Sequence, residues 1–558
     1  MIRRPLLVVL AWLLALGIAL AQPIASGFAL GFGDRVDAMI EISLLEHWRN
    51  VLTGAAMWNA PFYFYPHPGV LGYNDGYFLS GLIYTASRAI ADPFLADTLT
   101  AATWKTIGFF ASYVLIARVL YWGRGTALLV AVLFTIANGM AVQAVHAQLQ
   151  TVALVPLVFA LAIVTARASA RGSRGRAIAL AGALALTIAL WLLTAYYMAW
   201  FTLWFGCLFT ACWLVQRRRV LPGPAIAALR RHVAPIITGA VVFIAAALPF
   251  LLTYLPKARE TGEHHYAAMA GYLVTPLVDM VNVGPHNLMW GWIWRGLEAL
   301  IGHFAPGDPG LPARVVGGEH STGFPLLLFA LTIMAAWRVL RGSGSFPPLL
   351  RTYALTLVVA WALTLQFWLL SPWGLIFYLV PGASGLRVVL RFQLFLILPV
   401  LLLVAAVWRH RLAALSAAHP WRAGVVVFLL VAEQINLDPA AAALDAPAQR
   451  AALWAIPAPP PACRSFYVVA ARIGEPIFRS PEKHAQLAHN VDAMLLAEHW
   501  RLPTINGWAT FTPIDWKFDR PLDPDYERRV QFYARVHGIS GLCRLDVRAQ
   551  HPWQIVTL

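Results

Sequence analysis

The alternation of apolar and polar positions divides this chain into long apolar runs that are separated by short turns and by a few long polar regions. A helix needs about 20 apolar residues to cross a bilayer. We therefore predict an α-helical polytopic membrane protein with about eleven transmembrane helices. The predicted spans are approximately 6–27, 102–120, 126–143, 149–167, 177–194, 197–215, 234–254, 323–339, 352–370, 391–408 and 422–437.

The first apolar run allows two interpretations. Ala19 to Ala21, just before Gln22, resembles the small-residue site at which a signal peptide is cleaved. The run is also nearly long enough to span a bilayer, and we favour an uncleaved first helix with a cytoplasmic N-terminus. Under both interpretations the chain from residue 28 onwards lies outside the cytoplasm.

Composition and charge support this topology. The chain is 59% hydrophobic and 12% charged, with a mean hydropathy of +0.65, whereas soluble domains have roughly 25% charged residues. The formal net charge of +16 is spread over short clusters, which argues against a nucleic-acid partner. When the spans alternate from an external residue 28, every large arginine cluster lies inside, as the positive-inside rule expects: Arg167 to Arg176, Arg217 to Arg231, Arg338 to Arg351, and Arg409 to Arg422.

The same topology leaves three substantial regions outside. Two are loops, at about 28–101 and about 255–322, and the third is the C-terminal tail. Within this tail we predict an Ala/Pro-rich linker at 438–461 and a small external α/β domain at 462–558, with residues 1–437 as the membrane module. Cys463 and Cys543 lie in this region and can form a disulfide if it faces an oxidising compartment, but the sequence does not decide whether they pair.

The first external loop opens with two carboxylates, Asp34 and Asp37, beside a membrane helix. Residues 38–51 follow with apolar positions at helical spacing. The structural alternative is that the aspartates cap this helix, Asp37 in particular. Asp34 is flanked by Gly33 and exposed beside the membrane, and it is therefore the stronger catalytic candidate.

Other external side chains are candidates for binding a substrate. The first loop continues with an aromatic and proline-rich segment, and the second loop carries mixed charges and two adjacent histidines. The structural alternatives are that the aromatic segment forms a belt at the membrane interface and that the second loop is simply solvated. The candidates for substrate binding are Trp58, Asn59, Tyr65, Asp75, Glu263, His264 and His265, and Lys257 and Arg259 are candidates for phosphate binding.

A last candidate site is the pair Arg387 and Arg391, which the topology places at the external end of a span. This position departs from the positive-inside trend. On a helix, residues four apart share a face, and two guanidinium groups suit a phosphate or diphosphate. The alternative is that the pair binds ordinary lipid headgroups.

Several of these features together resemble the GT-C class of membrane glycosyltransferases, and in particular its large bacterial members. The resemblance covers the architecture of most of the chain: an acidic first external loop, many spans and an external C-terminal domain. The motifs that carry it are Gly33-Asp34, Trp58-Asn59 through Tyr65-Pro66, and Arg387 to Arg391-Phe392. The C-terminal domain matches no family that we can name.

This resemblance implies a polyprenyl-phosphate-linked sugar donor and a glycan, lipid or protein acceptor at a prokaryotic cytoplasmic membrane. Asp34 would be the general base of an inverting displacement, or would orient the acceptor hydroxyl, and the arginines would stabilise the departing phosphate. Some members of the class use Mg²⁺ or Mn²⁺. Here the spacing Asp34-x-x-Asp37 replaces a compact Asp-x-Asp, which leaves metal use open.

Two other functions compete with this one. A transporter or flippase for lipid-linked saccharides would place its charges near the middle of the membrane, whereas the polar candidates here lie in external loops. A polymerase or a non-catalytic assembly subunit would also use external loops and arginines. A polymerase differs from a single-sugar transferase because it transfers whole repeat units.

Overall fold

A computed structural model describes residues 3–217, 223–262, 264–308, 311–342, 346–368, 370–470 and 481–557. The described chain is mostly helical, with a few short strands. Seven of its helices are long and apolar enough to cross a membrane, which indicates a membrane-embedded protein. Their bounds are Pro93–Val119, Arg124–Val145, Ala147–Ala170, Arg174–Leu192, Tyr196–Gln216, His232–Thr261 and Val389–Ala418.

The four other predicted spans are helical but short. Their helices contain 17, 16, 15 and 13 residues, against the roughly 20 that a bilayer requires. The prediction of a helical membrane protein is therefore confirmed, while the count of eleven spans stays a prediction. The four helices are Arg3–Ala19, Leu326–Arg341, Pro348–Ala362 and Pro420–Ala432.

The first long helix begins nine residues before the predicted start at residue 102, and local chemistry explains the difference. Asp92 Oδ1 accepts hydrogen bonds from the N–H groups of Phe94 and Leu95 at 2.9 and 3.2 Å, and Pro93 occupies the first turn. An aspartate cap followed by proline is a favoured helix start. The polar first turns of this helix therefore extend beyond the apolar run.

The long helices differ in how much of their surface other helices cover. The Val389–Ala418 helix lies at the centre of the bundle, with most of its apolar side chains buried. The His232–Thr261 helix lies at the outside and exposes a row of aliphatic side chains, which lipid would cover. That row includes Ile236, Ile237, Val241, Ile244 and Leu252.

The first external loop contains the Asp37–Leu52 helix, called here the first-loop helix, and the shorter Phe78–Ser87 helix. Almost every side chain of the first-loop helix is buried. It packs on the Phe78–Ser87 helix and on the Pro481–Trp500 helix of the C-terminal region. The helix that the apolar spacing of residues 38–51 predicts is therefore present, and protein covers it on several sides.

The C-terminal region is α/β. Strand β1 (Leu30–Gly31) pairs antiparallel with β2 (Leu444–Asp445), so the expected linker at 438–461 is tied to the first loop and also contains a helix. A second sheet has the order β3-β4-β5, with β3 and β4 parallel and β4 and β5 antiparallel. Strands β3, β4 and β5 are Ser465–Ala470, Leu542–Asp546 and Trp553–Ile555. The helices of this region are Ala446–Trp454, Pro481–Trp500 and Tyr526–Val536.

A disulfide joins Cys463, just before β3, to Cys543 in β4. The two residues are 80 positions apart in sequence, so the bond closes a long loop that contains both helices between the strands. The pairing that an oxidising compartment would allow is present. Disulfides of this kind persist in extracytoplasmic proteins.

The first loop and the C-terminal region share one hydrophobic core, which contains large aromatic side chains from both. Backbone hydrogen bonds fix the contact: Phe64 N–H donates to Asn506 O at 3.1 Å, and Thr504 N–H donates to Phe62 O at 2.7 Å. Asn50 Nδ2 also donates to the Glu498 carboxylate at 2.9 Å. The first loop and the C-terminal region therefore form one folded unit.

Shorter helices complete the second external loop and the segment before the central helix. They are Tyr266–Met269, Val278–Val281, Gly291–Phe304, Leu311–Val316 and Trp373–Leu379.

Candidate functional site

The two carboxylates at the start of the first-loop helix have different partners. Asp34 Oδ1 accepts hydrogen bonds from the N–H groups of Val36 and Asp37 at 2.7 and 2.8 Å, so Asp34 caps the turn that leads into the helix, which begins at Asp37. The Asp37 side chain is 45% exposed, and its Oδ2 lies 3.6 Å from His146 Nδ1. Asp37 therefore has the more accessible carboxylate in the structure, whereas the sequence analysis favoured Asp34 as the catalytic candidate.

His146 connects Asp37 to a buried ion pair. His146 Nε2 lies 3.3 Å from Glu319 Oε1. The same oxygen accepts hydrogen bonds from Arg391 Nη2 at 2.5 Å and from Arg391 Nε at 3.2 Å. The four groups form a continuous series of acid, imidazole, acid and guanidinium. They come from the first loop, from a turn between two long helices, from the second loop and from the start of the central helix.

The pKa values of the two carboxyl groups move in opposite directions. Burial raises the pKa of Asp37, His146 opposes this increase, and the nearby Asp34 carboxylate adds to it. Burial also acts to raise the pKa of Glu319, but Arg391 and His146 hold it well below its usual range. Glu319 therefore stays ionised and neutralises Arg391, while Asp37 is the carboxylate whose pKa is displaced towards that of a general base.

Asp75 lies close to this series. Its Oδ1 accepts a hydrogen bond from the N–H of Tyr196 at 3.0 Å, at the beginning of the Tyr196–Gln216 helix, where a carboxylate is favourable. Burial raises the pKa of Asp75, while the Tyr196 N–H, Arg391 and His146 oppose the increase. The structure therefore brings Asp34, Asp37, Asp75 and Arg391 close together.

The arginine pair is arranged differently from the prediction. The regular helix begins at Phe392, after a short 3₁₀ turn and an extended Val388, so Arg387 and Arg391 do not share an α-helical face. Tyr197 Oη accepts hydrogen bonds from the N–H groups of Arg387 and Val388 at 2.8 and 3.2 Å, and its ring lies 5.3 Å from the Arg391 guanidinium. Arg391 is buried and paired, whereas Arg387 is exposed.

In the second loop, Lys257 is occupied by structural contacts. Its Nζ donates to Tyr73 Oη and to Glu260 Oε2, both at 2.9 Å, and Glu260 neutralises its charge. Arg259 is exposed and has no such partner among the described residues. Among the described residues, the Arg259 guanidinium therefore has no charged partner, whereas the Lys257 ammonium group is paired with Glu260.

The histidines of the second loop point to different surroundings. The His264 ring stacks on Phe511 with centroids 4.8 Å apart. Burial lowers the pKa of His264, and the positive charge of Arg387 lowers it further, which places His264 near Arg387. His265 is exposed, and Glu263 lies outside the described residues.

The aromatic motif of the first loop lies in the shared core. The carbonyl of Trp58 lies 3.1 Å from His47 Nε2, that of Asn59 accepts a hydrogen bond from Leu71 N–H at 3.3 Å, and Tyr65 N–H donates to Thr504 O at 2.9 Å. All three contacts fix the path of the loop against its surroundings. The structure thus gives Trp58, Asn59 and Tyr65 packing contacts, with none to the Asp37 series among the described residues.

His146, Glu319 and a neighbouring pair, Asp279 and His320, were not among the predicted site residues. His320 Nδ1 lies 3.0 Å from Asp279 Oδ1. Burial acts to lower the pKa of His320, but the Asp279 carboxylate outweighs it, so the pKa is raised overall. Two sequence signals were present: Glu319-His320 follows two glycines in an external loop, and His146 lies in the turn between two apolar runs.

All of these groups lie at one end of the helical bundle. His146 follows the Arg124–Val145 helix, and the Ala147–Ala170 helix leads back to the cluster of arginines that begins at Arg167. The Asp37 series and this arginine cluster are therefore at opposite ends of the same antiparallel helices.

No protein-family model matches this chain, and no curated protein is significantly similar to it. The fold and the site by themselves define a class: a helical, membrane-embedded protein with a folded extramembrane unit. At one end of its helices it carries a cluster of carboxylates, imidazoles and guanidinium groups.

Proposed function

We propose that this protein is a membrane glycosyltransferase of the GT-C type, which moves a sugar from a polyprenyl-phosphate donor to a glycan, lipid or protein acceptor. The observation that carries the proposal is the half-exposed Asp37 carboxylate, held against His146, which also contacts the Glu319–Arg391 ion pair. Transfer of a sugar from a phosphate needs both a base for the acceptor and a positive charge for the leaving group.

The proposed reaction is a single displacement at the anomeric carbon. Asp37 takes the proton of the acceptor hydroxyl, and the hydroxyl oxygen forms a bond to the anomeric carbon. The bond from that carbon to the phosphate oxygen breaks at the same time, and the phosphate leaves with the electron pair. The anomeric configuration is inverted, and the product is a glycoside and a polyprenyl phosphate.

Each neighbouring residue has a proposed part in this reaction. Arg387 is exposed and neutralises the departing phosphate, whereas Arg391 acts through Glu319 and His146 by holding them beside Asp37. Asp34 positions Asp37 by capping the turn that leads into the helix. One Asp34 oxygen already accepts two N–H groups, so the use of Mg²⁺ or Mn²⁺ at this pair stays a prediction.

The proposed location is the external face of a prokaryotic cytoplasmic membrane. Three observations support it: the site lies at the end of the helices opposite the arginine clusters, the C-terminal region folds onto the site-bearing loop, and that region contains a disulfide.

The experiment is transfer of radiolabelled sugar from polyprenyl-phosphate donors by the full chain in proteoliposomes. Asp37→Asn should abolish transfer and keep donor binding. Asp34→Asn should retain transfer, because asparagine caps helices as well as aspartate does. Arg387→Ala should raise the KM for the donor, with Arg535→Ala, an exposed arginine of the C-terminal region, as its matched control. Full transfer by Asp37→Asn would remove the proposed base, and loss through Asp34→Asn alone would return that role to Asp34.

A transporter for lipid-linked saccharides is the second candidate, and one observation favours it. Lys105 is buried within the Pro93–Val119 helix, and ionisable residues inside membrane helices often mark transport pathways. If no donor supports transfer, flipping of a fluorescent lipid-linked saccharide should be measured in the same vesicles. Loss of flipping in Lys105→Met, with Asp37→Asn unchanged, would favour the transporter.

A further inference from the structure

Three side chains that take no part in the proposed reaction meet where the first loop contacts the C-terminal region. His67 Nε2 lies 3.0 Å from Asp515 Oδ1, and His537 Nε2 lies 2.7 Å from Asp515 Oδ2. One ligand atom from each residue can be chosen so that all three lie within 4.8 Å of one another. Among the described residues, this is the group of histidines and carboxylates whose geometry suits a metal ion.

The local fold holds each of these side chains in place. His67 follows the Phe64–Pro66 segment that pairs with the C-terminal region, and its N–H donates to Phe64 O at 3.0 Å. Asp515 lies in a turn after Pro513. His537 ends the Tyr526–Val536 helix, where its ring packs on Tyr533 at 4.2 Å between centroids.

One feature is unexplained without a ligand. The Nε2 atom of His67 is buried and has no hydrogen-bond partner among the described residues, although Asp515 Oδ1 is only 3.0 Å away. The distance suits a hydrogen bond, but the angles do not. A buried polar atom without a partner is costly, and a cation bound between the imidazole and the carboxylate would satisfy it.

We propose that His67, Asp515 and His537 bind a divalent transition-metal ion of the Zn²⁺ type, which joins the first external loop to the C-terminal region. Imidazole nitrogen and carboxylate oxygen are common zinc ligands at about 2.0–2.2 Å. In a tetrahedral site such ligand atoms stand about 3.4 Å apart, so the present positions need only small side-chain rotations. Three protein ligands leave the fourth coordination position to water. The ion would be structural, because its ligands tie two segments that are far apart in sequence.

The first experiment measures metal binding by the full chain, without an affinity tag, in lipid nanodiscs. After treatment with a chelator and dialysis, the protein should bind one equivalent of Co²⁺ with the visible absorption of a tetrahedral site, and Zn²⁺ should displace it. His67→Gln, His537→Gln and Asp515→Asn should each remove this absorption. His551→Gln changes an exposed histidine of the same region and should leave it intact.

A second measurement does not depend on whether the variants fold. In the wild-type chain, Zn²⁺ should protect His67 and His537 from modification by diethyl pyrocarbonate, as mapped by mass spectrometry, and should leave His551 reactive. Zn²⁺ should also raise the Tm of the wild type. Equal modification of His67 with and without Zn²⁺, or Co²⁺ absorption that survives both histidine substitutions, would overturn the proposal.

Discussion

Replacing Arg391 by methionine tests whether the buried ion pair holds the candidate site together. The side chains of Arg391 and Glu319 are 7% and 17% exposed, and Arg391 also faces the Tyr197 ring at 5.3 Å. Methionine keeps most of the apolar stem and removes the charge. Glu319 would then remain in a mostly buried position without its principal cation.

The expected magnitude follows from these contacts. Removing one partner of a buried ion pair costs about 3–5 kcal/mol, and the residual exposure of Glu319 favours the lower end, about 3 kcal/mol. Glu319→Gln should cost a similar amount, since it leaves Arg391 uncompensated. The double variant should be more stable than the sum of the single effects predicts, by about 2 kcal/mol, because neither charge is then left alone.

The assay is equilibrium unfolding of the purified chain in mixed micelles, followed by the fluorescence of its 23 tryptophans. Arg387→Met is a matched control four residues away, because Arg387 is exposed. It should change the free energy of unfolding by no more than about 0.5 kcal/mol. Additive effects of the two single substitutions, or equal effects of Arg391→Met and Arg387→Met, would refute the reasoning.

Two further predictions concern the base and the disulfide. If Asp37 is the base, transfer should fall as the pH drops through its raised pKa, so the acidic limb lies above the ordinary carboxyl range near about 4. His146→Gln removes the group that lowers the Asp37 pKa across 3.6 Å and should move this limb to higher pH. A shift to lower pH would contradict the pairing. Replacing Cys463 and Cys543 by serine opens an 80-residue loop and should lower the free energy of unfolding by about 4 kcal/mol. Non-reducing peptide mapping of the wild type should recover the two peptides linked by the disulfide. Free thiols at both positions would contradict the pairing.

Hydropathy and arginine placement were sufficient to predict a helical membrane protein with extramembrane regions. The signal is strong because lipid imposes one requirement on every span, which is an apolar surface with all backbone groups paired within the helix. The ends of the helices were less predictable. The helix that begins at Pro93 starts before its apolar run, because Asp92 caps it there. Its first turns contain polar residues, since they pack against protein.

The carboxylates at the start of the first-loop helix were recognisable, but their roles were not. Asp34 and Asp37 are three residues apart, and either could cap the helix. In the structure, Asp34 Oδ1 accepts the N–H groups of Val36 and Asp37, and the Asp37 carboxylate faces His146. Such a choice depends on backbone geometry that residue types alone do not specify.

The sequence by itself determined the membrane environment of this protein, the approximate positions of its apolar helices and the loops that hold its candidate site residues, because these follow from local composition. Only the tertiary structure decided which charges meet. His146 lies 3.6 Å from Asp37 and 3.3 Å from Glu319, and Glu319 pairs with Arg391, although these residues are separated by long stretches of chain. Helix packing sets such distances through many weak contacts that are distributed over the whole sequence, and no local pattern records them.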